Sequence, residues 1–290
     1  MIPDLFASSQ PPGVRRPTFS ISFGGGAAGS GGLGGLVAGA AAAIGLGGGG
    51  ADDPWQRAFV GAVVEVGLAP EVDVAEITLA GDANAPQFAI ADEGSIELGY
   101  EDEGTSAVYA GRIESVQRNS NGLVRVTVAN ATSVLAALRV QTSYEDQAAG
   151  DVVTDLAGRA GVDTDNIVSG PNLAFLVLDD GSSAWQHIAR LARISGHQAR
   201  ITAENGIEFA PVANSAPVQT FTYGVDVLSL ERRETAAPFD NVTMFGEGAA
   251  GSDGKNAWNW LVKEAAPVTG TAGQGSRSRA FTDPALRSAD

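Results

Sequence analysis

The chain contains no cysteine, which excludes disulfides, thiolate metal sites and thiol catalysis. It is poor in lysine: only Lys255 and Lys263 occur, and 18 basic residues face 34 acidic ones, for a formal charge of −16. A phosphate backbone would be repelled by that surface, so nucleic-acid binding is disfavoured. The acid excess fits plain solubility, and it also fits a channel wall that does not hold anionic cargo. Aromatics make up 7% of the residues and are not interleaved with basic ones, so neither base-stacking platforms nor sugar-binding platforms are implied. The N-terminus places Pro3 and Asp4 where a cleaved signal would carry a basic region and an apolar run, and it is not read as one.

Motifs of catalysis are equally scarce. No GxSxG elbow and no HExxH pair occurs, and the two histidines, His187 and His197, are not at i,i+4. Helical periodicity puts His187 on a polar face, and His197 follows a helix-stopping glycine, so both read as surface residues. Paired acids stand at Asp52–Asp53, Glu101–Asp102–Glu103 and Asp179–Asp180, at apparent loops or strand ends where solvated carboxylates are ordinary. Asp163–Thr164–Asp165–Asn166 has oxygen ligands at calcium-like spacing but lacks the glycine and distal glutamate of an EF-hand loop. No catalytic, cofactor-binding or metal-ligating residue is assigned, and a non-enzymatic protein is expected.

What the chain has in excess is glycine, 38 residues. Fourteen of them fall within the 27 residues from Gly24 to Gly50. The tract has no Gly-Lys-Ser/Thr and is not a P-loop. Its apolar part, Leu33 to Leu46, is shorter than the roughly 20 residues of a membrane span, and glycine weakens any helix there. It reads as a flexible insertion between strands, and membrane contact is disfavoured.

Around the tract the pattern is β. Phe19, Ile21 and Phe23 alternate with Thr18, Ser20 and Ser22. Further strands are expected at Phe59–Val66, at Val72–Leu79 with a break near Ala75, at Ser95–Glu103 with Ile96, Leu98 and Tyr100 on one face, at Val108–Val116 and at Leu123–Val128. Asn119–Gly122 is a hairpin signal. The period then changes. A helix capped by Asp151 runs to Ala160 with Val152, Val153, Leu156 and Ala157 on one face, and Gly161 stops it. A second runs from about Ser182 to Ile194 with Trp185, Ile188, Ala189 and Ala192 on one face. A hairpin over Gln198–Pro211 turns at Glu204–Gly206, and strands are expected at Val225–Arg232 and Asn241–Phe245. The fold class is therefore α+β and mainly β: small barrel-like antiparallel β domains with a short two-helix α/β part. The expected organisation is an N-terminal segment with the first strand (1–23), the Gly/Ala-rich insertion (24–50), a barrel-like β domain (51–140), a small α/β domain (141–215) and a second β-rich domain (216–290).

Three passages carry a family resemblance: Gly94–Val116, Ser143–Val162 with its tyrosine leading into a helix that ends Ala-Gly-Val, and Ser183–Pro211 with helix, glycine and an Asn-Gly hairpin. Over roughly residues 55–245 their order and spacing resemble the tail-hub family that includes phage late control D proteins and the N-terminal part of VgrG spike proteins. Ala280–Asp290 looks like the lead-in to a further helix and strands of such proteins. The resemblance implies a baseplate hub of a contractile phage tail or injection system. It implies a homotrimer bridging a central spike protein and the inner tube protein, with baseplate wedge or LysM-type neighbours, assembled in the bacterial cytoplasm. The family lends no catalytic residues. A tail-associated cell-wall hydrolase and a β-rich glycan-binding module are the alternatives.

Overall fold

A computed structural model describes residues 16–24, 54–81, 86–101, 103–212, 220–224, 227–236, 238–246 and 269–286. The glycine tract beyond Gly24, the pair Asp52–Asp53 and the apolar stretch Trp258–Val262 lie outside the described residues. The described chain is mainly β, and its largest sheet is an antiparallel half-barrel.

That sheet consists of β1 (Pro17–Phe23), β2 (Phe59–Glu65), β3 (Val74–Ala80), β4 (Glu93–Tyr100), β5 (Gly104–Arg118) and β6 (Leu123–Ala129), in the order β1-β4-β5-β6-β3-β2. Strict alternation puts Ile21 and Phe23, Ala75, Ile77 and Leu79, and Val124, Val126 and Val128 on the concave face. The long β5 joins the two halves: its first part pairs with β4 and its second with β6. Bulges in both pairings bend it, which curls the sheet. Gly111 makes this possible. A side chain there would strike the Ala129 carbonyl of β6. The two edge strands approach through Phe19 and Phe59, whose ring centroids are 4.1 Å apart. A short helix, α1 (Pro54–Ala58), plugs the seam: buried Trp55 packs 5.7 Å from Phe23 and 5.4 Å from Phe88.

Two expectations for this sheet change. β3 has no break at Ala75. Alanine is simply the small member of an inward row, and Val72 points to solvent. On β4 only Ile96 is buried, and Leu98 and Tyr100 are exposed. The three still share one face, since β4 runs in unbroken register against β1; the far end of the β4–β5 hairpin, Gly104–Ala107, overhangs the core.

The second core is built on two helices. After α2 (Ala131–Ala137) come β7 (Thr142–Ala148), α3 (Ala149–Ala160), β8 (Thr164–Ile167), β9 (Asn172–Leu178), α4 (Ala184–Ser195) and the hairpin β10 (His197–Ile201) and β11 (Ile207–Pro211). β7 pairs with β9, while β11 lies between β10 and a parallel β8. Val152, Val153, Leu156 and Ala157 of α3 and Trp185, Ile188, Leu191 and Ala192 of α4 bury against Leu173, Leu176, Leu178, Ile207 and Phe209. Both helices end on a left-handed glycine, Gly161 at φ 69° and Gly196 at φ 65°. Ser183 caps α4 in a reciprocal box with Gln186. Asp151 does not cap α3. That helix begins two residues earlier, and Asp151 sits in its first turn, where the macrodipole favours it.

A third, smaller sheet has the order β13-β12-β14, formed by β12 (Asn241–Phe245), β13 (Thr269–Gly273) and β14 (Ser278–Thr282). None of its strand residues is buried. The strand expected at Val225–Arg232 is absent among the described residues: only a Tyr223–Val227 bridge forms, and 229–236 are irregular. Val225 and Asp226 themselves lie outside the described residues. Alternating sequence makes a strand only where an edge is available to pair with, and residues 228–232 meet none among the described residues.

Candidate assembly surfaces

The residues singled out for chemistry do not converge. His187 lies on the inner side of α4, not its polar side: it is buried, and its Nε2 donates to the Asp179 carbonyl at 2.9 Å. That bond ties the helix to the turn before it. His197 stands edge-on to Phe209 at 4.8 Å, and burial pushes its pKa down, so the ring is neutral at pH 7. Asp179 is committed to its own turn, accepting from the Gly181 amide at 2.8 Å. Thr164 and Asn166 of the calcium-like run belong to β8 and pair with β11, while the Asp163 carbonyl accepts from Ile207. Among the described residues no group of three or more acids and histidines is placed to hold a metal ion. The described residues form shallow clefts. One, of about 420 Å³, is lined by Leu79, Phe88, Arg118 and Leu123 among others, and another, of about 340 Å³, by Pro70, Gln186, Arg190 and Arg193. Neither gathers an acid and a base.

The one dense polar network is structural. Asp73 is buried where the first sheet meets the helical core. Its carboxylate accepts from the Gly67 amide and from Asn130 Nδ2, both at 2.8 Å, and its own amide donates to Thr132 Oγ1. Asn130 in turn caps α2 through the Thr132 amide at 2.9 Å. Tyr109 donates to the Val128 carbonyl at 3.1 Å, and burial raises its pKa above the ordinary phenol range. Trp185 donates to the Glu71 carbonyl at 2.7 Å, the Ala69 amide to the Ala199 carbonyl, and the Ala131 amide to Asn205 Oδ1. Every partner is satisfied, so the two cores are held as one piece. Sequence reasoning missed Asp73 because a lone aspartate beside a strand carries no periodic signal.

A second polar tie fastens the small sheet. Arg190 of α4 makes a paired contact with Asp283, at 3.1 Å from Nε and 2.5 Å from Nη2, and Asp283 also accepts from the Ala285 amide. Burial alone would raise the Asp283 pKa, but the Arg190 hydrogen bonds outweigh it and hold the carboxyl below its ordinary value. Ala285 joins the helical core behind it.

What remains unexplained by packing is apolar and exposed. Edge strand β2 presents Val60 and Val63, 57% and 58% exposed, and Val66, Leu68 and Val72 continue the row. Its only ladder partner among the described residues is β3. Beyond β11, Phe221, Tyr223, Leu228 and Leu230 are exposed, the two leucines at 86% and 75%. Single exposed apolar residues need no explanation, but a row of them on an edge strand and a group of them beyond β11 are candidate interaction sites.

Residues 69–247 match the model of the Alg8 N-terminal domain family. This is a different domain from the late control D and VgrG family that the residue pattern resembles. Among solved structures, the chain is similar to the 43 kDa tail protein of prophage MuSo2 from Shewanella oneidensis, with a TM-score of 0.54 at 11% identity, covering 79% of this chain and 74% of that one. The tail protein from Neisseria meningitidis MC58 matches at a TM-score of 0.46 and 14% identity over 77% and 72% of the two chains. Prophage tail protein gp18 from Listeria monocytogenes EGD-e matches at 0.42 and 12% over 78% and 67%. No curated protein matches. The first likeness establishes the fold as one that a prophage tail protein also adopts.

Proposed function

The chain belongs to the Alg8 N-terminal domain family, and from that premise and its fold we propose that it is a structural subunit of a phage tail or contractile injection particle. In this reading it is a baseplate hub: a homotrimer that connects a central spike to the inner tube, beside wedge or LysM-type neighbours, assembled in the bacterial cytoplasm. It performs no catalysis. The observation that carries the proposal is the half-barrel followed by the α/β unit, which follows the Shewanella prophage tail protein over 79% of this chain. The surfaces support it. Symmetry matching needs sheet edges and apolar rows that neighbours can cover, and these are what β2 and residues 221–230 offer. The dense polar network is spent on holding two cores together instead of forming a cleft.

The test is co-sedimentation. Particles from the producing cell are fractionated on a density gradient and probed with an antibody to this chain. The reading expects the chain in the intact-tail fractions and loss of assembled tails when its gene is deleted. Complete tails formed without the chain would overturn it, and turnover of peptidoglycan by the purified chain would favour the hydrolase alternative.

A further inference from the structure

Asparagine followed by glycine occurs twice in the chain, at Asn121–Gly122 and Asn205–Gly206, and each pair turns a hairpin. The dipeptide is chemically labile. The glycine amide nitrogen, once its proton has passed to solvent, attacks the asparagine Cγ. A carbon–nitrogen bond forms and closes a succinimide, the Cγ–Nδ2 bond breaks, and ammonia leaves. Water then opens the ring at either carbonyl and leaves isoaspartate or aspartate. Glycine favours the attack because no side chain flanks its nitrogen. The fold decides whether the side chain and the amide are free to meet.

The two turns differ in this respect. Asn121 and Gly122, between β5 and β6, are both exposed, and nothing lies within 4 Å of the place a Gly122 side chain would take. The reacting groups are tied only to their near neighbours. The Gly122 amide donates to the Asn119 carbonyl at 3.1 Å, and Asn121 Oδ1 accepts from the Leu123 amide at 3.1 Å. The Gly122 carbonyl holds the Gly81 amide at 2.7 Å, but that oxygen takes no part in the attack. Opening this tip uncovers no core. In the turn between β10 and β11, Gly206 is buried, and Asp165 Cβ stands 3.2 Å from where its side chain would be. The Gly206 amide donates to Thr202 Oγ1 at 3.3 Å. Asn205 Oδ1 accepts from the amide of Ala131, the first residue of α2 and 74 positions away, at 2.7 Å. Turning that side chain toward Gly206 would strip a helix-terminal amide of its acceptor.

We propose that Asn121 is a modification site: in the folded protein it deamidates spontaneously to isoaspartate, while the contacts of the β10–β11 turn protect Asn205. The product carries a new carboxylate and routes the backbone through Cβ, which adds one atom to the turn. That extra atom undoes the bond between the Gly122 amide and the Asn119 carbonyl and loosens the tip held to Gly81. Isoaspartate also presents a free α-carboxyl, the group that methyl transfer from S-adenosylmethionine esterifies. This chemistry is independent of the hub reading.

The test follows the unaltered full chain in mildly alkaline buffer at physiological temperature. Samples are digested at intervals, and the peptides spanning the two turns are read by mass spectrometry for the change from amide to acid. Isoaspartate is told from aspartate by its acceptance of a methyl group from an isoaspartyl carboxyl methyltransferase. Conversion at Asn121 is expected to run on the order of tenfold or more ahead of conversion at Asn205, the ratio set by how often each turn opens. In concentrated urea, where neither turn is formed, the two rates are expected to converge. Asn121→Ser is expected to abolish the early methyl acceptance. Asn121 staying intact in the folded chain while it converts in urea would overturn the proposal, and so would equal conversion of the two residues in the folded chain. A difference that persists undiminished in urea would assign the contrast to neighbouring sequence and overturn the protective role of the fold.

Discussion

The helical core and the small sheet that follows it use similar strands and reach opposite states. In the first, five-residue β10 and β11 bury Ala199, Ile201, Ile207 and Phe209 beneath two amphipathic helices. In the second, five-residue β12, β13 and β14 fully bury none of their side chains, and Arg279 lies over the rings of half-buried Phe239 and exposed Phe281 at 5.5 Å and 4.8 Å. A three-stranded sheet without a covered apolar face gains little from the hydrophobic effect. The one region folds on its own contacts. The other is held by Arg190–Asp283 and Ala285 and leaves its strand residues unburied.

This contrast can be broken by substitution. Trp185→Ala removes a fully buried ring and the hydrogen bond to Glu71, and about 3–5 kcal/mol of stability is expected to vanish in urea titration. Phe281→Ala in the small sheet is expected to stay within about 0.5 kcal/mol. Asp73→Ala leaves the Gly67 amide and Asn130 Nδ2 without their acceptor in a buried site, and a loss of about 2–4 kcal/mol is expected by the same titration.

Acid should separate the two regions without unfolding the first. The folded pKa of Asp283 is depressed, so its contribution is fully present above the unfolded carboxylate value of about 3.9 and is lost as pH falls through the lower folded value. Hydrogen exchange across Asn241–Phe245 should therefore quicken at pH 3 while α3 and α4 stay protected. Asp283→Asn should show the fast exchange already at pH 7, a change on the order of 1–3 kcal/mol. Equal protection of both regions at pH 3 would contradict the latch. The smallest expected effect is Ser183→Ala, about 1 kcal/mol from loss of the α4 capping box, read as a lowered thermal midpoint.

Much of the self-sufficient region was legible in the sequence. The rows Val124–Val126–Val128 and Val152–Val153–Leu156–Ala157, the turn at Asn119–Gly122 and the stops at Gly161 and Gly196 are local signals, and local physics decides them. The misses share a cause. His187 was placed outside because periodicity cannot see the Asp179 carbonyl that meets it. Leu98 and Tyr100 share a face with Ile96 as the alternation says, but they are exposed because that end of the hairpin runs past the core, which alternation cannot show. Val225–Arg232 was given a strand because its alternation is real, while residues 228–232 find no partner edge among the described residues. The Asp73 junction depends on contacts between residues 57 and 59 positions apart, beyond any window of periodicity. The exposed apolar residues of β2 and of the stretch beyond β11 were legible only as composition, because exposure is a property of the fold.

The central claim is the proposal that this chain works as one subunit of a trimeric tail hub, with its exposed apolar residues covered by neighbours. Sedimentation equilibrium of the unaltered full chain tests it most directly. The account predicts a species three times the 29.5 kDa chain mass. A single species at the monomer mass, with Val60, Val63, Leu228 and Leu230 still open to solvent-borne labels, would contradict it.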